Sequence, residues 1–301
     1  MALASWMLLD GDPQLEEISV SVNGHQMRGL RSGEGPSLVL LHGLLGSADA
    51  WYPCFSRLGR ESEVYAVDSL GIGRSERVSG LDASLSAQAD RVAEFMEGAH
   101  IRRADIVGTS HGGSVAMMLA ARHPERVRSL VLHAPANPFS LLGDPLVRFY
   151  RSPLGRWFAY QVPNLPEKLQ ELALGRMYGH NKQVRHEALQ HYMGSLRVPG
   201  TVKHVMNMVD CWFEDMRQLG AVLEKLSDVP ALLLWGTHDR AVSLDSGRQL
   251  ERMLQAELVI LPGMGHVPHD EAPMAFAEAV NSFLRKIDRN EAHAGPQLVR
   301  S

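Results

Sequence analysis

Short, unbroken runs of apolar residues recur along this chain and alternate with stretches of helical periodicity. Such runs are typical of strands buried on both faces, as in parallel sheets. Their alternation with helices predicts an α/β fold, with a mostly parallel sheet and helices on both faces. The predicted strands are residues 37–41, 64–68, 104–107, 129–132, 231–235 and 258–261, and the predicted helices are residues 84–98, 110–122, 243–253 and 271–287.

A hairpin precedes these elements. Residues 17–22 alternate in polarity as a half-buried strand does, and Asn23-Gly24 follows, which is a strong signal for a tight hairpin turn. Residues 25–30 are the predicted returning strand.

The alternation breaks between residues 137 and 225. This stretch is rich in large apolar residues at helical spacing, which predicts a helical insertion between two sheet strands. We therefore predict a core domain of residues 1–136 and 226–301, interrupted by a helical cap of residues 137–225. Residues 289–301 are polar and include Gly and Pro, so a flexible tail is predicted there.

Composition limits the class of protein. The 301 residues carry a net charge of −4 and no long basic run, so nothing indicates a nucleic-acid partner. Two cysteines, Cys54 and Cys211, form no disulfide framework and are compatible with a reducing compartment. The sequence shows neither a signal peptide nor an apolar run long enough for a membrane span, so the predicted location is cytoplasmic. The oligomeric state is not indicated.

The pentapeptide Gly108-Thr109-Ser110-His111-Gly112 fits the pattern G-x-S-x-G. A predicted strand precedes it and a predicted helix follows, so Ser110 falls on a sharp strand-to-helix turn. Such a turn holds a serine hydroxyl above the sheet edge as a nucleophile. The flanking glycines tolerate the close backbone approach that the turn needs.

A serine hydroxyl needs a base within hydrogen-bond reach, and that base needs an orienting carboxylate. Asp239 follows the strand at 231–235, and His266 follows the strand at 258–261. Because the carboxyl ends of parallel strands share one edge of a sheet, we predict a catalytic triad of Ser110, Asp239 and His266. Asp210 and Asp215 are the alternative acids. His238 and His269 are the rival histidines nearest to the predicted pair.

An oxyanion intermediate needs hydrogen-bond donors that are already in place. The residue after the nucleophile supplies one backbone N–H, here that of His111. The loop after the strand at 37–41 supplies the other, and position assigns it to Leu44. His42 at the start of this loop is predicted to brace it by hydrogen bonding rather than to take part in catalysis.

Five ordered segments together resemble the α/β-hydrolase superfamily. They are residues 41–47 (LHGLLGS), residues 68–75 (DSLGIGRS), the elbow at 108–112, residues 236–239 (GTHD) and residues 265–268 (GHVP). The resemblance implies an eight-stranded sheet, a cap after the sixth strand and a Ser-Asp-His triad. Serine at the elbow argues against the haloalkane dehalogenases and epoxide hydrolases of the superfamily, which use aspartate there. His111 is less usual at its position than Met, Leu or Gln, and its side chain could touch the substrate.

The predicted function is a serine hydrolase, of carboxylesterase or lipase type, acting on an acyl bond of a small or medium hydrophobic substrate. Two alternatives stay open: a carbon–carbon bond hydrolase of the dienone-cleaving kind, and a slow-turnover receptor on the same fold. Arg148, Arg151 and Arg156 are candidates for the carboxylate pocket that the former would need. No cofactor or metal is implied, because His186 and His191 lie one residue too far apart for a zinc-protease motif. The predicted substrate contacts are Trp157, Tyr178, Trp212, Phe213 and Val267.

Overall fold

The computed structural model describes residues 14–140, 144–180 and 184–294. Eight strands form one sheet with the order β1-β2-β4-β3-β5-β6-β7-β8. β1 and β2 pair antiparallel, as do β2 and β4, and the remaining neighbours are parallel. The predicted α/β class with an eight-stranded, mostly parallel sheet is thus confirmed. The strands are β1 (Leu15–Val22), β2 (His25–Ser32), β3 (Ser37–Leu41), β4 (Glu63–Val67), β5 (Ala104–Thr109), β6 (Val127–His133), β7 (Ala231–Gly236) and β8 (Glu257–Leu261).

Helices cover both faces of the sheet. They are α1 (Tyr52–Leu58), α2 (Leu85–Gly98), α3 (His111–Arg122), α9 (Leu244–Leu254), α10 (Pro268–Glu271) and α11 (Pro273–Ala294). Val39 and Leu41 of β3 join a core with α2, α3 and α9, whereas Leu38 and Leu40 join the opposite core with α1 and α11. Because alternate residues of β3 serve two cores, its sequence is apolar throughout.

The insertion between β6 and β7 is helical across its described residues. Its helices are α4 (Asp144–Arg151), α5 (Pro153–Gln161), α6 (Glu167–Gly175), α7 (His186–Arg197) and α8 (Thr201–Gly220). They pack around an apolar cluster of their own, which also takes in Ile72, Ala83 and Val267 from the sheet portion of the chain. The insertion therefore shares buried surface with loops at one edge of the sheet.

The last helix extends further than the sequence predicts. α11 continues through Arg289 to Ala294, so the first six residues of the predicted tail are helical. Glu291 forms an ion pair with Arg128, and the residues from 289 to 294 contain neither Gly nor Pro. In the sequence, Ala294 is followed by Gly295 and Pro296, which are poor helix formers. The remaining tail, residues 295–301, lies outside the described residues.

Asp215 attaches α8 of the insertion to α2. Its side chain is buried, and Oδ1 accepts the N–H of Leu85, the first residue of α2, at 3.1 Å. Oδ2 has no hydrogen-bond partner among the described residues. The amides at the start of a helix favour a negative charge, but burial opposes it.

Replacing Asp215 by asparagine should remove a pH-dependent loss of stability. Burial raises the pKa of this carboxyl to about 6, against the opposing effect of the Leu85 N–H. A carboxyl with a raised pKa stabilises the fold below its unfolded pKa, near 4, and this contribution is lost as the pH rises through 6. The free energy of unfolding of the wild type, relative to Asp215→Asn, should fall by up to about 2 kcal/mol between pH 4 and pH 7. Urea unfolding across this range measures the difference, and a constant difference would contradict the raised pKa.

Candidate active site

Ser110 occupies the turn between β5 and α3, with backbone angles φ 52° and ψ −120°. A positive φ is costly for a residue with a side chain, and such strain is found mostly at functional sites. The flanking glycines have steric reasons to be glycine. A Cβ at Gly108 would collide with the backbone of Gly112, and a Cβ at Gly112 would collide with the carbonyl oxygen of Leu41.

Backbone hydrogen bonds hold this strained turn in place. The N–H of Ser110 donates to the carbonyl of His133 at the end of β6, at 3.0 Å. The carbonyl of Ser110 accepts from Gly113 at 3.0 Å, from Ser114 at 3.3 Å and from Ala136 at 3.0 Å. The elbow is therefore held by hydrogen bonds from α3 and from the segment that follows β6. The Ser110 residue remains half-buried.

Asp239 and His266 lie on the loops after β7 and β8 and contact each other. His266 Nδ1 lies 2.7 Å from Asp239 Oδ2, and both side chains are buried. Asp239 Oδ1 accepts the N–H groups of Ala241 at 2.8 Å and Val242 at 3.0 Å, which fixes the carboxylate. A carboxylate only accepts hydrogen bonds, so Nδ1 carries a proton, and the lone pair of the neutral imidazole is on Nε2. A neutral imidazole in this tautomer can act as a base.

The His266 imidazole lies close to the elbow. Its ring centroid is 6.0 Å from that of His133, the residue whose carbonyl accepts the Ser110 N–H. β5 and β6 are neighbours in the sheet, and Thr109 and His133 are paired in register. The sheet thus brings the ends of β5, β6, β7 and β8 to one edge, where Ser110, Asp239 and His266 all follow strands.

The alternative acids and histidines have other contacts. Asp210 is partly exposed and pairs with Arg156, and Asp215 binds the start of α2. His238 packs against His180 in a tilted arrangement, with ring centroids 4.0 Å apart. His269 is buried against Trp51, with ring centroids 4.9 Å apart, and burial lowers its pKa to about 3.

The loop after β3 lies beside the nucleophile. A Cβ built on Gly43 would stand 3.4 Å from Ser110 Cβ, so the next amide, that of Leu44, is close to the elbow. His42 braces this loop as predicted: its Nε2 accepts the N–H of Ser69 at 3.2 Å, and its Nδ1 lies 2.8 Å from the Gly43 carbonyl. The backbone N–H of His111 is the first of α3, and first-turn amides lack intrahelical acceptors.

The side chain of His111 is directed away from the solvent. Its Nε2 lies 3.1 Å from Gln88 Oε1, and its ring stacks near Trp212, with centroids 6.4 Å apart. Gln88 Nε2 donates to the carbonyl of Ala83 at 2.7 Å, which orients the amide, so Nε2 of His111 is the donor in their bond. Burial lowers the pKa of His111 to about 3, aided by His42 and His204. His111 is therefore neutral at ordinary pH.

Most of the predicted substrate contacts belong to one apolar cluster. Tyr178 and Val267 are buried in it, and Trp212 and Phe213 pack against it together with Leu44. Trp157 lies instead on α5 with 61% of its surface exposed. Its location gives no support to a substrate contact. A small cavity beside the elbow is bounded by Leu44, Gln88, His111 and Met208.

Three contributors to this region escape a sequence-based search. Gln88 orients His111, His133 accepts the elbow N–H, and Glu271 binds the His266 loop. None of them lies in a recognisable motif. Each is brought to the site only when the chain folds. His133 offered the nearest signal, since it ends a strand at the same sheet edge.

In the described part of the chain, no three His, Cys, Asp or Glu side chains are grouped so that they could hold a metal ion. No helix in residues 14–140, 144–180 or 184–294 is long and apolar enough to cross a membrane.

Residues 36–273 match the family model described as the alpha/beta hydrolase fold. The chain belongs to this family. Its relatives among α/β hydrolases include the monoacylglycerol lipase ABHD6 of Homo sapiens, 26% identical over 268 residues, which are 87% of this chain and 79% of that protein. The 2-hydroxymuconate semialdehyde hydrolase of Pseudomonas sp. (strain CF600) is 27% identical over 267 residues, covering 85% of this chain and 89% of that protein.

A solved α/β-hydrolase structure with 30% sequence identity is also similar. It is described as a membrane phospholipase A and a bacterial virulence factor, with a TM-score of 0.75 over 91% of this chain and 87% of that chain. The family and these relatives identify the protein as a hydrolase. Neither their names nor their folds select one substrate, because the relatives include both lipid-ester and carbon–carbon bond hydrolases.

Replacing Asp239 by asparagine should lower kcat by roughly ten-thousandfold, because the amide would favour the wrong imidazole tautomer. Asp210→Asn and Asp215→Asn are matched controls, since each changes the same group at a site with other contacts. Steady-state hydrolysis of a soluble aryl ester measures all three variants. A larger loss in either control than in Asp239→Asn would show that the acid is misassigned.

Proposed function

We propose that this α/β hydrolase is a serine hydrolase that cleaves a carboxylic ester, or a related acyl bond, through an acyl-enzyme. The observation that supports it most is the Asp239–His266 pair, at the same sheet edge as a serine on a strained elbow. The pair leaves one imidazole lone pair available, as a general base requires. A serine with only a structural role would not need a backbone strained by a positive φ.

Acylation would begin with the hydroxyl of Ser110. Its oxygen attacks the substrate carbonyl carbon while Nε2 of His266 takes the hydroxyl proton. The N–H groups of Leu44 and His111 would donate to the resulting oxyanion. As the tetrahedral intermediate collapses, the bond to the leaving group breaks, and the imidazolium returns its proton to the departing oxygen.

Deacylation repeats these steps with water. His266 takes a proton from a water molecule, whose oxygen attacks the acyl carbon of the ester formed on Ser110. The Ser110 oxygen leaves and regains its proton from the imidazolium, and a carboxylic acid is released. Throughout, Asp239 would hold the imidazole in its tautomer and stabilise the imidazolium.

The substrate we infer is largely apolar, and the helical insertion is proposed as a cap over the site. Leu44 and Trp212, which flank the elbow region, are continuous with the apolar cluster of the insertion. Two relatives are named as a monoacylglycerol lipase and a membrane phospholipase A, and these names favour an acyl ester with a hydrocarbon chain as the substrate.

The carbon–carbon alternative is supported by the resemblance to 2-hydroxymuconate semialdehyde hydrolase. Its substrate would need a cationic pocket for a carboxylate, and the candidate arginines point to other roles. Arg151 and Arg156 pair with Asp210, and Arg148 lies over the Phe213 ring at 5.1 Å. An ester is therefore the proposal that the geometry favours.

An activity panel tests the reaction. We expect hydrolysis of p-nitrophenyl acetate, butyrate, octanoate and dodecanoate, with kcat/KM rising from acetate to a longer chain as apolar surface is buried. A dienone and a lactone tested alongside distinguish the alternatives. Faster cleavage of the dienone than of every ester would replace the proposal by carbon–carbon hydrolysis, and slow turnover of all substrates would indicate a receptor.

Ser110→Ala should remove the activity while the fold persists. Loss of the nucleophile in a triad costs about a millionfold in kcat. Alanine keeps all the backbone hydrogen bonds of the elbow, so we expect the variant to fold. Circular dichroism and thermal unfolding provide the control for folding. Wild-type rates in this variant would overturn the mechanism.

A further inference from the structure

The loop that carries His266, residues 262–266, lies between two other segments of backbone. On one side is the loop of the acid. The N–H of His238 donates to the Met264 carbonyl at 2.9 Å, and the N–H of Gly263 donates to Thr237 Oγ1 at 2.8 Å. The two catalytic loops of the proposed triad are therefore joined directly.

On the other side is a segment of the insertion, residues 177–180. The N–H of His266 itself donates to the carbonyl of Met177 at 2.6 Å, and the N–H of His180 donates to the carbonyl of Gly263 at 2.9 Å. The proposed base is thus bonded through its own backbone to the insertion. We call residues 177–180 together with Glu271 the clasp.

Glu271 joins the two segments through one carboxylate. Its Oε2 accepts the N–H of Gly179 at 2.8 Å, and its Oε1 accepts the N–H of Gly265 at 2.9 Å. Each oxygen satisfies one backbone donor, so the side chain bridges the insertion and the His266 loop. Charge-assisted bonds of this kind are among the stronger ones in proteins.

The segments also pack backbone against backbone. A Cβ at Gly179 would collide with the carbonyl oxygen of Gly263, and a Cβ at Gly265 would collide with the carbonyl oxygen of Met177. Glycine at both positions permits this close approach, and backbone atoms cannot rotate away as a long side chain can. A displacement of residues 177–180 must therefore displace the His266 loop.

Buried side chains extend the contact beyond the loop. The Tyr178 hydroxyl donates to Asp270, and the guanidinium of Arg185 pairs with the same carboxylate. Asp270 and Tyr178 are both buried. The first turn after His266 is thus attached to the insertion at a second carboxylate, next to Glu271 in the chain.

We propose that Glu271 is a positioning residue for catalysis and that the clasp holds His266 in position relative to Ser110. This inference rests on the proposed function for the role of His266. The insertion then has two tasks: it would cover the substrate, and it completes the support of the base. Loss of the Glu271 bridge should lower kcat with little change in KM, because Glu271 bonds backbone N–H groups and the predicted substrate contacts Trp212 and Phe213 lie on α8.

Glu271→Gln is the primary variant. The amide keeps one acceptor oxygen but turns its NH₂ group toward the other backbone N–H, so one arm of the bridge is lost. A misplacement of about 1 Å costs up to about a hundredfold in rate. We expect kcat to fall by about tenfold to a hundredfold, with KM within about twofold of the wild type.

Gly179→Ala tests the close approach, and Gly194→Ala is its matched control. Gly194 lies on α7 of the same insertion, and a Cβ there would meet no atom within 4 Å. We expect a large loss of kcat in Gly179→Ala and wild-type kinetics in Gly194→Ala. Equal kinetics for the two glycine variants, both folded, would overturn the role of the clasp.

Two readouts separate positioning from a general structural effect. The first is the rate of labelling by a small fluorophosphonate. In this reaction Ser110 displaces fluoride with His266 as the base, and so small a reagent needs few contacts with the insertion. The second is the far-downfield NMR signal of the His266 Nδ1 proton bonded to Asp239. In folded Glu271→Gln we expect labelling to slow in parallel with kcat and the signal to shift or broaden.

The outcomes are distinct. Unchanged labelling with a raised KM would assign the clasp to substrate binding instead and overturn the proposal. If Glu271→Gln does not fold, Tyr178→Phe is the second variant, because it removes only the bond to Asp270. We expect it to slow labelling severalfold. A wild-type labelling rate in Tyr178→Phe would also overturn the proposal. If the wild type hydrolyses no ester, the proposed function fails. The NMR signal and the labelling rates would still test whether the clasp positions His266.

Discussion

The strained backbone of Ser110 is the constraint on which the site depends. Its positive φ of 52° costs on the order of 1–3 kcal/mol in a residue with a side chain. The turn persists because the Ser110 N–H donates to the His133 carbonyl and the Ser110 carbonyl accepts from Gly113 and Ala136. Glycines at 108 and 112 also allow the chain to pass closely. The parallel sheet then places the loops of Asp239 and His266 at the same edge.

Burial distinguishes the histidines of this region. His111, His133 and His269 are buried and have no carboxylate partner among the described residues, and burial is the main reason why the pKa of each lies below its usual value. His266 is equally buried but is hydrogen-bonded to Asp239. A base must carry a positive charge during the reaction, and only a histidine with a nearby carboxylate can do so at modest cost in such surroundings.

The sequence predicts those parts that follow from local pattern and strand order. The strands, the elbow and the loop positions of Asp239 and His266 could be located because each strand is a short apolar run. Trp157 and Trp212 could not be told apart, because packing between helices decides which one faces inward. The end of α11 was also missed, since its polar residues gave no sign of the ion pairs that hold them. Glu271 could not be predicted, because it bridges two irregular segments that are distant in the chain.

We propose above all that Ser110 is activated by the Asp239–His266 pair. Mass spectrometry of the protein after reaction with a fluorophosphonate, followed by proteolysis, tests it most directly. We expect one adduct per chain, on the peptide that contains Ser110, forming at a rate that falls sharply in His266→Ala. Loss of esterase activity with the adduct on another residue, or an undiminished labelling rate in His266→Ala, would contradict it.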